Sequence, residues 1–457
     1  MKTARRRVLA GLLSAAALTS CSFFGTKVVR RPPRGFDAGA PRPPVVFVHG
    51  AFGSRLRDTR SGLEIWPVGS TELLFSNYAN LELPLDPDSG EALADTVVAH
   101  AVFEEVGNLS FYGSLLQSLR LAGGYQRAAA GARVADGSPR QYAYLYDWRR
   151  DFAEAAQGLD ALIEQIRQDY AQPDLKVDLV AHSSGGLVAR YFMLYGAAPL
   201  AAAGEAIPTF AGAAKVRRAV AIGVPEIGIA RAAQSLVSGE PIGLNRVWPS
   251  TLVTSHTAFQ LLPHGDDAWL ADRSGRLLAA DAYDPALWRE HHMAIFDGDV
   301  RSRARHDHGG GAAGRSYVAL LELTFAARLE RAKRFRDAIR EAPLPAGLPY
   351  YVIAGNCRPT IGRLVVEPFG RRRYVRTAPL DIHWPEQGVD YTRLMLEPGD
   401  GMVTLASALA QPTRPIHPQY RYRLALDARG ERQVCASHNQ LAVNRDCQRA
   451  LLLALGA

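Results

Sequence analysis

The stretch from Lys176 to Leu187, Lys-Val-Asp-Leu-Val-Ala-His-Ser-Ser-Gly-Gly-Leu, is a short apolar run that enters a serine flanked by small residues. It continues into a helical pattern ending near Tyr195. A serine held on so tight a strand-to-helix turn needs little bulk two positions before it and two after, because the two backbones approach closely there. Ala181 and Gly185 meet that need. Such a turn exposes the Ser183 hydroxyl at the head of a sheet and aims the Ser184 backbone N–H, at the start of the helix, toward a developing oxyanion. The usual pattern is G-x-S-x-G and the first position here is Ala181, so the stretch alone reads equally as a plain turn that contains serine. Its partners elsewhere in the chain carry the argument further.

Val45-Val46-Phe47-Val48 is a continuous apolar run suited to a strand covered on both faces. It ends in His49-Gly50-Ala51-Phe52-Gly53-Ser54, where two glycines allow a tight turn that presents N–H groups; the Phe52 N–H is the candidate second oxyanion donor. Residues 55–103 show no clean period yet carry Ile65-Trp66-Pro67, Leu73-Leu74-Phe75, Leu81 and Leu83, a pattern that fits a lid or substrate wall and equally fits core packing. Helical spacing follows at 111–124, an aromatic strand at Gln141–Tyr146, and a helix over 152–169 with a stripe at Leu159, Leu162, Ile163 and Ile166. Val216–Ile222 and Tyr350–Ala354 are further strands. Strands alternating with helices at this spacing predict an α/β fold with a mostly parallel central sheet and helices on both faces.

The His49–Ser54 loop, Ile65-Trp66-Pro67, the Tyr146-Asp147-Trp148-Arg149 run, the elbow and the Gly223–Glu240 segment together resemble the lecithin:cholesterol acyltransferase family of α/β-hydrolases, which includes related phospholipases and diacylglycerol acyltransferases. Tyr-Asp-Trp-Arg is the most family-specific of these pieces. The likeness covers about 45–255 and 390–457 and is thin between. Near the C-terminus, Pro398-Gly399-Asp400-Gly401-Met402-Val403 places an aspartate in a turn after a strand, where the family commonly has Gly-Asp-Gly-Thr-Val; Met402 departs from that pattern. Gln433–His438 then delivers a histidine. The chain order Ser183, Asp400, His438 is that of α/β-hydrolases, each residue lying just past a strand end. These three are the candidate catalytic residues, Phe52 and Ser184 the candidate oxyanion hole, and Trp66 and Ala51 candidate substrate or lid contacts. No metal or organic cofactor is required by such chemistry.

The formal charge of +8 on 457 residues needs correcting. Residues 1–20 carry Lys2, Arg5, Arg6 and Arg7 and no acid, so the remainder holds 49 basic against 45 acidic residues, a net of +4 that does not demand nucleic acid. A basic start, an apolar run from Val8 to Leu18 too short for a bilayer, and Leu18-Thr19-Ser20-Cys21 read as a signal peptide over 1–20. The last four residues resemble a bacterial lipobox that would lipidate Cys21; an ordinary export signal is the alternative. Residues 21–44, rich in Pro and Arg, then form a tether, and 45–457 a hydrolase domain with lid or cap insertions at about 55–103 and 226–345. Cys357, Cys435 and Cys447 cannot all pair within the chain; Cys435 and Cys447 flank His438 and read as a disulfide or as two buried thiols.

Residues 316–341 have an apolar stripe at Tyr317, Leu321, Phe325, Leu329, Ala332, Phe335 and Ile339, with arginines mostly off it. A basic amphipathic helix can lie on an anionic membrane or pack on the cap or core. His306-Asp307-His308 before three glycines reads as a solvent-exposed loop rather than a metal site. The sequence therefore predicts an exported, membrane-anchored lipoprotein of the bacterial envelope, a serine-triad hydrolase of phospholipid or another lipid ester working through an acyl-enzyme. A transferase that moves the acyl chain to a sterol or other alcohol shares the same triad. A lipid-binding envelope protein that keeps the scaffold without turnover is the reading from another class.

Overall fold

The computed structural model describes residues 28–67, 76–106, 109–202, 204–264, 268–370, 372–410 and 432–457. The signal segment, Cys21 and Leu73-Leu74-Phe75 lie outside these.

β1 (Val45–Val48) buries all four side chains. Successive residues of a strand point to opposite faces. Accordingly Val46 and Val48 join one hydrophobic cluster and Val45 and Phe47 a second one across the sheet. A strand with two buried faces cannot alternate with polar residues, which is why the run is apolar throughout. The chain then passes through α1 (Gly113–Leu121), β2 (Gln126–Arg127), β3 (Arg140–Tyr144), α2 (Phe152–Asp169), β4 (Val177–His182), α3 (Gly185–Tyr195), β5 (Val216–Ile222) and α4 (Ala230–Ser238). A long helix, α5 (Gly311–Glu341), precedes β6 (Tyr350–Gly355), β7 (Arg432–Val434) and α6 (Arg445–Gly456). The seven strands form one sheet in the order β7-β6-β5-β4-β1-β3-β2, every pairing parallel. Helices α2, α3 and α5 contribute to the cluster on one face, and α1 and α6 to the cluster on the other. The predicted parallel sheet with two covered faces is what forms.

After β1 the chain runs to the edge strand β2 and comes back with β3 beside β1, then crosses to the other side of β1 with β4 and continues through β5 to β7. The direction of building thus reverses between β1 and β4, and in open parallel sheets the loops beyond such neighbouring strand ends part to leave a crevice. The loop after β1 carries His49–Ser54 and the turn after β4 carries Ser183.

Several expectations are corrected. Within the stretch 55–103, where no period was expected, Ser54–Asp58, Glu64–Trp66 and Val97–Val102 make a three-stranded antiparallel sheet. The part of the expected tether that is described does not hang free. Val28, Val29 and Phe36 are buried, and the Val29 N–H donates to Ser118 Oγ at 2.9 Å on α1 and to Gln448 Oε1 at 3.1 Å on α6. Three apolar side chains among the prolines are enough to dock it. Of the two placements open to the 316–341 helix, the apolar stripe takes the packed one: Leu321, Phe325, Leu329, Phe335 and Ile339 are all within the core, so no apolar face is left for a membrane. No helix among the described residues is long and apolar enough to cross one. His306 and Asp307 are exposed, but His308 stacks on Tyr317 with ring centroids 3.4 Å apart and reaches Glu82 Oε2 at 3.1 Å. Cys435 pairs with Cys357, not with Cys447, which is buried with a free thiol.

Candidate active site

Ser183 sits at the turn between β4 and α3 with φ of 54°, a left-handed conformation that costs energy for a residue with a side chain. The surrounding packing imposes it. A Cβ on Gly185 would lie 2.3 Å from the His49 carbonyl oxygen, and one on Gly50 would lie 2.7 Å from Ser183 Cβ. Only glycines let the loop after β1, which carries Phe52, and the turn after β4, which carries Ser184, come this close. Neither the Phe52 nor the Ser184 amide donates to a protein acceptor among the described residues. The neighbouring Ala51 N–H is taken, donating to Ser184 Oγ at 2.8 Å. Phe52 itself has φ of 59°, so the oxyanion-loop turn is held in the same unusual region as the serine.

His438 Nε2 lies 2.8 Å from Ser183 Oγ, and His438 Nδ1 lies 2.8 Å from Asp400 Oδ2. An ionised carboxylate only accepts, so the imidazole proton belongs on Nδ1 and Nε2 is left to accept from the serine hydroxyl. Asp400 is 1% exposed. Burial would raise its pKa, but the His438 imidazole and the N–H groups of Val403 (2.7 Å) and Met402 (2.9 Å) outweigh it and hold the carboxyl below its ordinary value. Met402, the departure from the family pattern, contributes only its backbone to this arrangement. The carboxylate is therefore kept charged where the imidazole needs it.

A hydroxyl bonded to the free nitrogen of such an imidazole is arranged for nucleophilic attack on a carbonyl. It opens into a cavity of about 380 Å³. Trp66, Phe103, Trp148, Ile229 and Leu252 give this cavity an apolar wall, and Ala51 also lines it. Trp66 is also structural, since its Nε1–H donates to the Phe52 carbonyl at 3.0 Å and its ring lies 5.1 Å from that of Phe52. Arg231 and Glu240, paired at 2.9 Å, add a charged pair to the lining.

Sequence reasoning misses several groups that support the site. Tyr112 Oη lies 2.8 Å from His182 Nδ1 and accepts from the Gly50 N–H at 3.2 Å, joining the two loops. Tyr146 donates to the His49 carbonyl at 2.7 Å. Arg149, 1% exposed, makes a forked pair with Asp147 and reaches Asp95 at 2.9 Å. Tyr146 and Arg149 belong to the motif singled out in sequence, so a signal existed without a role. Nothing near Tyr112 in the sequence marks it. The His182 ring, 4.8 Å from that of His438, has its pKa lowered to about 3 by burial first and by the neighbouring His438 second.

Fold and site together define an α/β-hydrolase of the acyl-ester hydrolase or acyltransferase kind. Residues 137–304 match the family model for lecithin:cholesterol acyltransferase, a span running from the start of β3 through the elbow into the cap, so the resemblance read from the sequence holds where Ser183 lies. No curated protein matches the chain in sequence. Among solved structures, a chain of the Tle4–Tli4 complex aligns over 90% of this chain and 97% of its own at TM-score 0.55 and 13% identity, a likeness of fold. Lipase 1 from Pelosinus fermentans aligns over 91% of this chain and 97% of its own, at 13% identity and TM-score 0.33. The propeptide form of the Bacillus licheniformis lipase BlEst2 aligns over 92% and 50%, at 13% identity and TM-score 0.32.

Proposed function

We propose that the protein is a serine hydrolase of lipid acyl esters, with Ser183 as nucleophile, His438 as general base and acid, and Asp400 as the group that orients His438. The observation that carries this reading is the pair of 2.8 Å contacts through which one imidazole joins Ser183 to a buried carboxylate on the wall of an apolar cavity. As Ser183 Oγ attacks the ester carbonyl, its proton passes to His438 Nε2. The carbonyl oxygen, now negative, takes the Phe52 and Ser184 N–H groups. Collapse expels the alcohol, which leaves with the proton from His438, and the acyl group stays on Ser183. Water then repeats the sequence with His438 again as base, releasing the fatty acid. Each oxyanion N–H contributes about 3 kcal/mol to lowering the barrier, by comparison with known donors.

Trp66, Phe103 and Leu252 give the acyl chain a dry wall, which favours a lipid over a polar ester. The Cys357–Cys435 disulfide supports an exported protein, since such bonds persist in oxidising compartments. In that setting Cys21 is the proposed lipid attachment point, placing the enzyme beside its substrate.

The test compares Ser183→Ala with the parent on phospholipid, with and without added diacylglycerol. Free fatty acid as the main product of the parent, absent from the variant, is expected. A new ester as main product would move the assignment to acyl transfer, and failure of a fluorophosphonate to label Ser183 in folded protein would end it.

A further inference from the structure

The cap holds a second cleft of about 500 Å³, between the helix Gly298–Asp307 and the first turns of α5, away from Ser183. Its walls carry Arg301, Arg305 and Arg315 with Ser302, over a floor that includes Val318; the one acid lining it is Glu322. Glu322 is consumed by its ion pair with Arg301. Arg305 and Arg315 are exposed and have no acidic partner among the described residues. The next arginine along the same helix, Arg303, does not compete for this role. It lies over the Trp248 ring at 3.8 Å and pairs with Asp307 at 3.3 Å. The first turn of α5, a helix of 31 residues, contains no acid either.

The helices are locked in this arrangement. A Cβ on Gly314 would lie 2.2 Å from the Arg305 carbonyl oxygen, so the backbones touch and the cleft is the space that opens beyond that contact. Two uncompensated guanidiniums in a preformed concavity suit a doubly oxygenated anion, which their forked N–H groups can grip from two sides. A carboxylate would use one guanidinium; a phosphate group has oxygens for both.

We infer that this cleft is a binding site for a phosphate group, distinct from the cavity at Ser183. The group comes either from the headgroup of an anionic phospholipid, holding the cap against the bilayer, or from free phosphate. The α5 residue beside the cleft floor gives the site a route to the substrate cavity: Tyr317 donates to Glu82 Oε2 at 3.0 Å, and Glu82 Oε1 accepts at 3.0 Å from Thr251, which lines that cavity.

The test uses the full chain with Cys21→Ser, so that no acyl anchor contributes, and adds Arg305→Gln with Arg315→Gln. Binding to vesicles of ether-linked phosphatidylcholine and phosphatidylglycerol is measured by sedimentation, and the response to inorganic phosphate at constant ionic strength by thermal unfolding. Turnover of a soluble short-chain ester, expected unchanged, reports that the double variant folds and keeps the chemistry at Ser183 apart from the cleft. A vesicle affinity about thirtyfold lower in the double variant, with no response of either protein to phosphate, identifies the headgroup as the source. Stabilisation of the unsubstituted cleft by phosphate, lost in the double variant without any change in vesicle binding, identifies free phosphate. Equal behaviour of the two proteins in both measurements overturns the site.

Discussion

Asp400 and His438 are joined twice: the side chains meet at 2.8 Å between Oδ2 and Nδ1, and the His438 backbone N–H donates to the Asp400 carbonyl oxygen, also at 2.8 Å. The second bond fixes the distance between the two backbones, so the imidazole is aimed at Ser183 by main-chain geometry as well as by charge. It also lets the carboxylate be altered without losing the loop.

Asp400→Asn should therefore leave the fold in place while kcat falls by about 10⁴-fold, because an amide can donate to Nδ1 and favour the wrong tautomer. Circular dichroism together with steady-state hydrolysis of a soluble ester checks it. A loss of less than tenfold would mean that Asp400 does not orient His438.

The acid limb of stability should be steep. Burial lowers the pKa of His49 to about 4, the Gly50 carbonyl opposing it only in part, and that of His182 to about 3. Both stay neutral in the folded protein while their unfolded counterparts take up protons below about 6.5. The unfolded chain thus binds more protons through this window, and stability is full above it and lost as pH falls from about 6.5 toward 4. Each histidine contributes a slope of up to about 1.4 kcal/mol per pH unit. Urea unfolding of the parent and His182→Asn at pH 7, 5.5 and 4.5 should show a shallower decline in the variant.

The disulfide holds the loops that carry the site. Cys435 lies three residues before His438, and Cys357 closely follows Gly355, where a Cβ would lie 2.5 Å from Asp400 Cβ. Replacing both cysteines with serine should lower stability by about 2–4 kcal/mol and reduce activity more at elevated temperature than at low. Cys447 should react with alkylating agents only after unfolding, since burial pushes its thiol up to about 12. Alkylation of Cys357 in native, unreduced protein would count against the pairing.

Arg149→Met should be among the most damaging single changes away from the catalytic residues. It leaves Asp147 and Asp95 facing each other with only Arg150, at 3.6 Å and 3.0 Å, to compensate them. Breaking one side of a buried network of this kind costs about 3–5 kcal/mol. Equilibrium unfolding measures it, and a cost under about 1 kcal/mol would show the network to be solvated.

Local chain chemistry was legible wherever backbone constraint and side-chain period act over a few residues. The apolar run at 45–48, the small residues around Ser183 and the helix over 152–169 follow from such rules, and the helix has the predicted limits, with Asp151 as its cap. Position relative to a strand end likewise marked Asp400 and His438. The arginines of α5 left two placements open because a helix with a stripe and a basic face looks the same on a membrane as it does when its arginines reach partners such as Glu91 and Asp151. Spacing could not choose the partner of Cys435 either, since Cys357 is 78 residues away and meets it only because β6 and β7 are neighbours.

The sequence by itself determined most strands of the parallel sheet, the elbow and which three residue types follow strand ends, since each depends on interactions within a few residues of chain. Only the tertiary structure decided that His438 lies against Ser183 across 255 residues, that Val29 docks between α1 and α6, and that Arg305 and Arg315 of the cap have no acidic partner among the described residues. Those relations depend on how the sheet orders its strands and how far apart the loops beyond it fall, and no window of neighbouring residues contains that information.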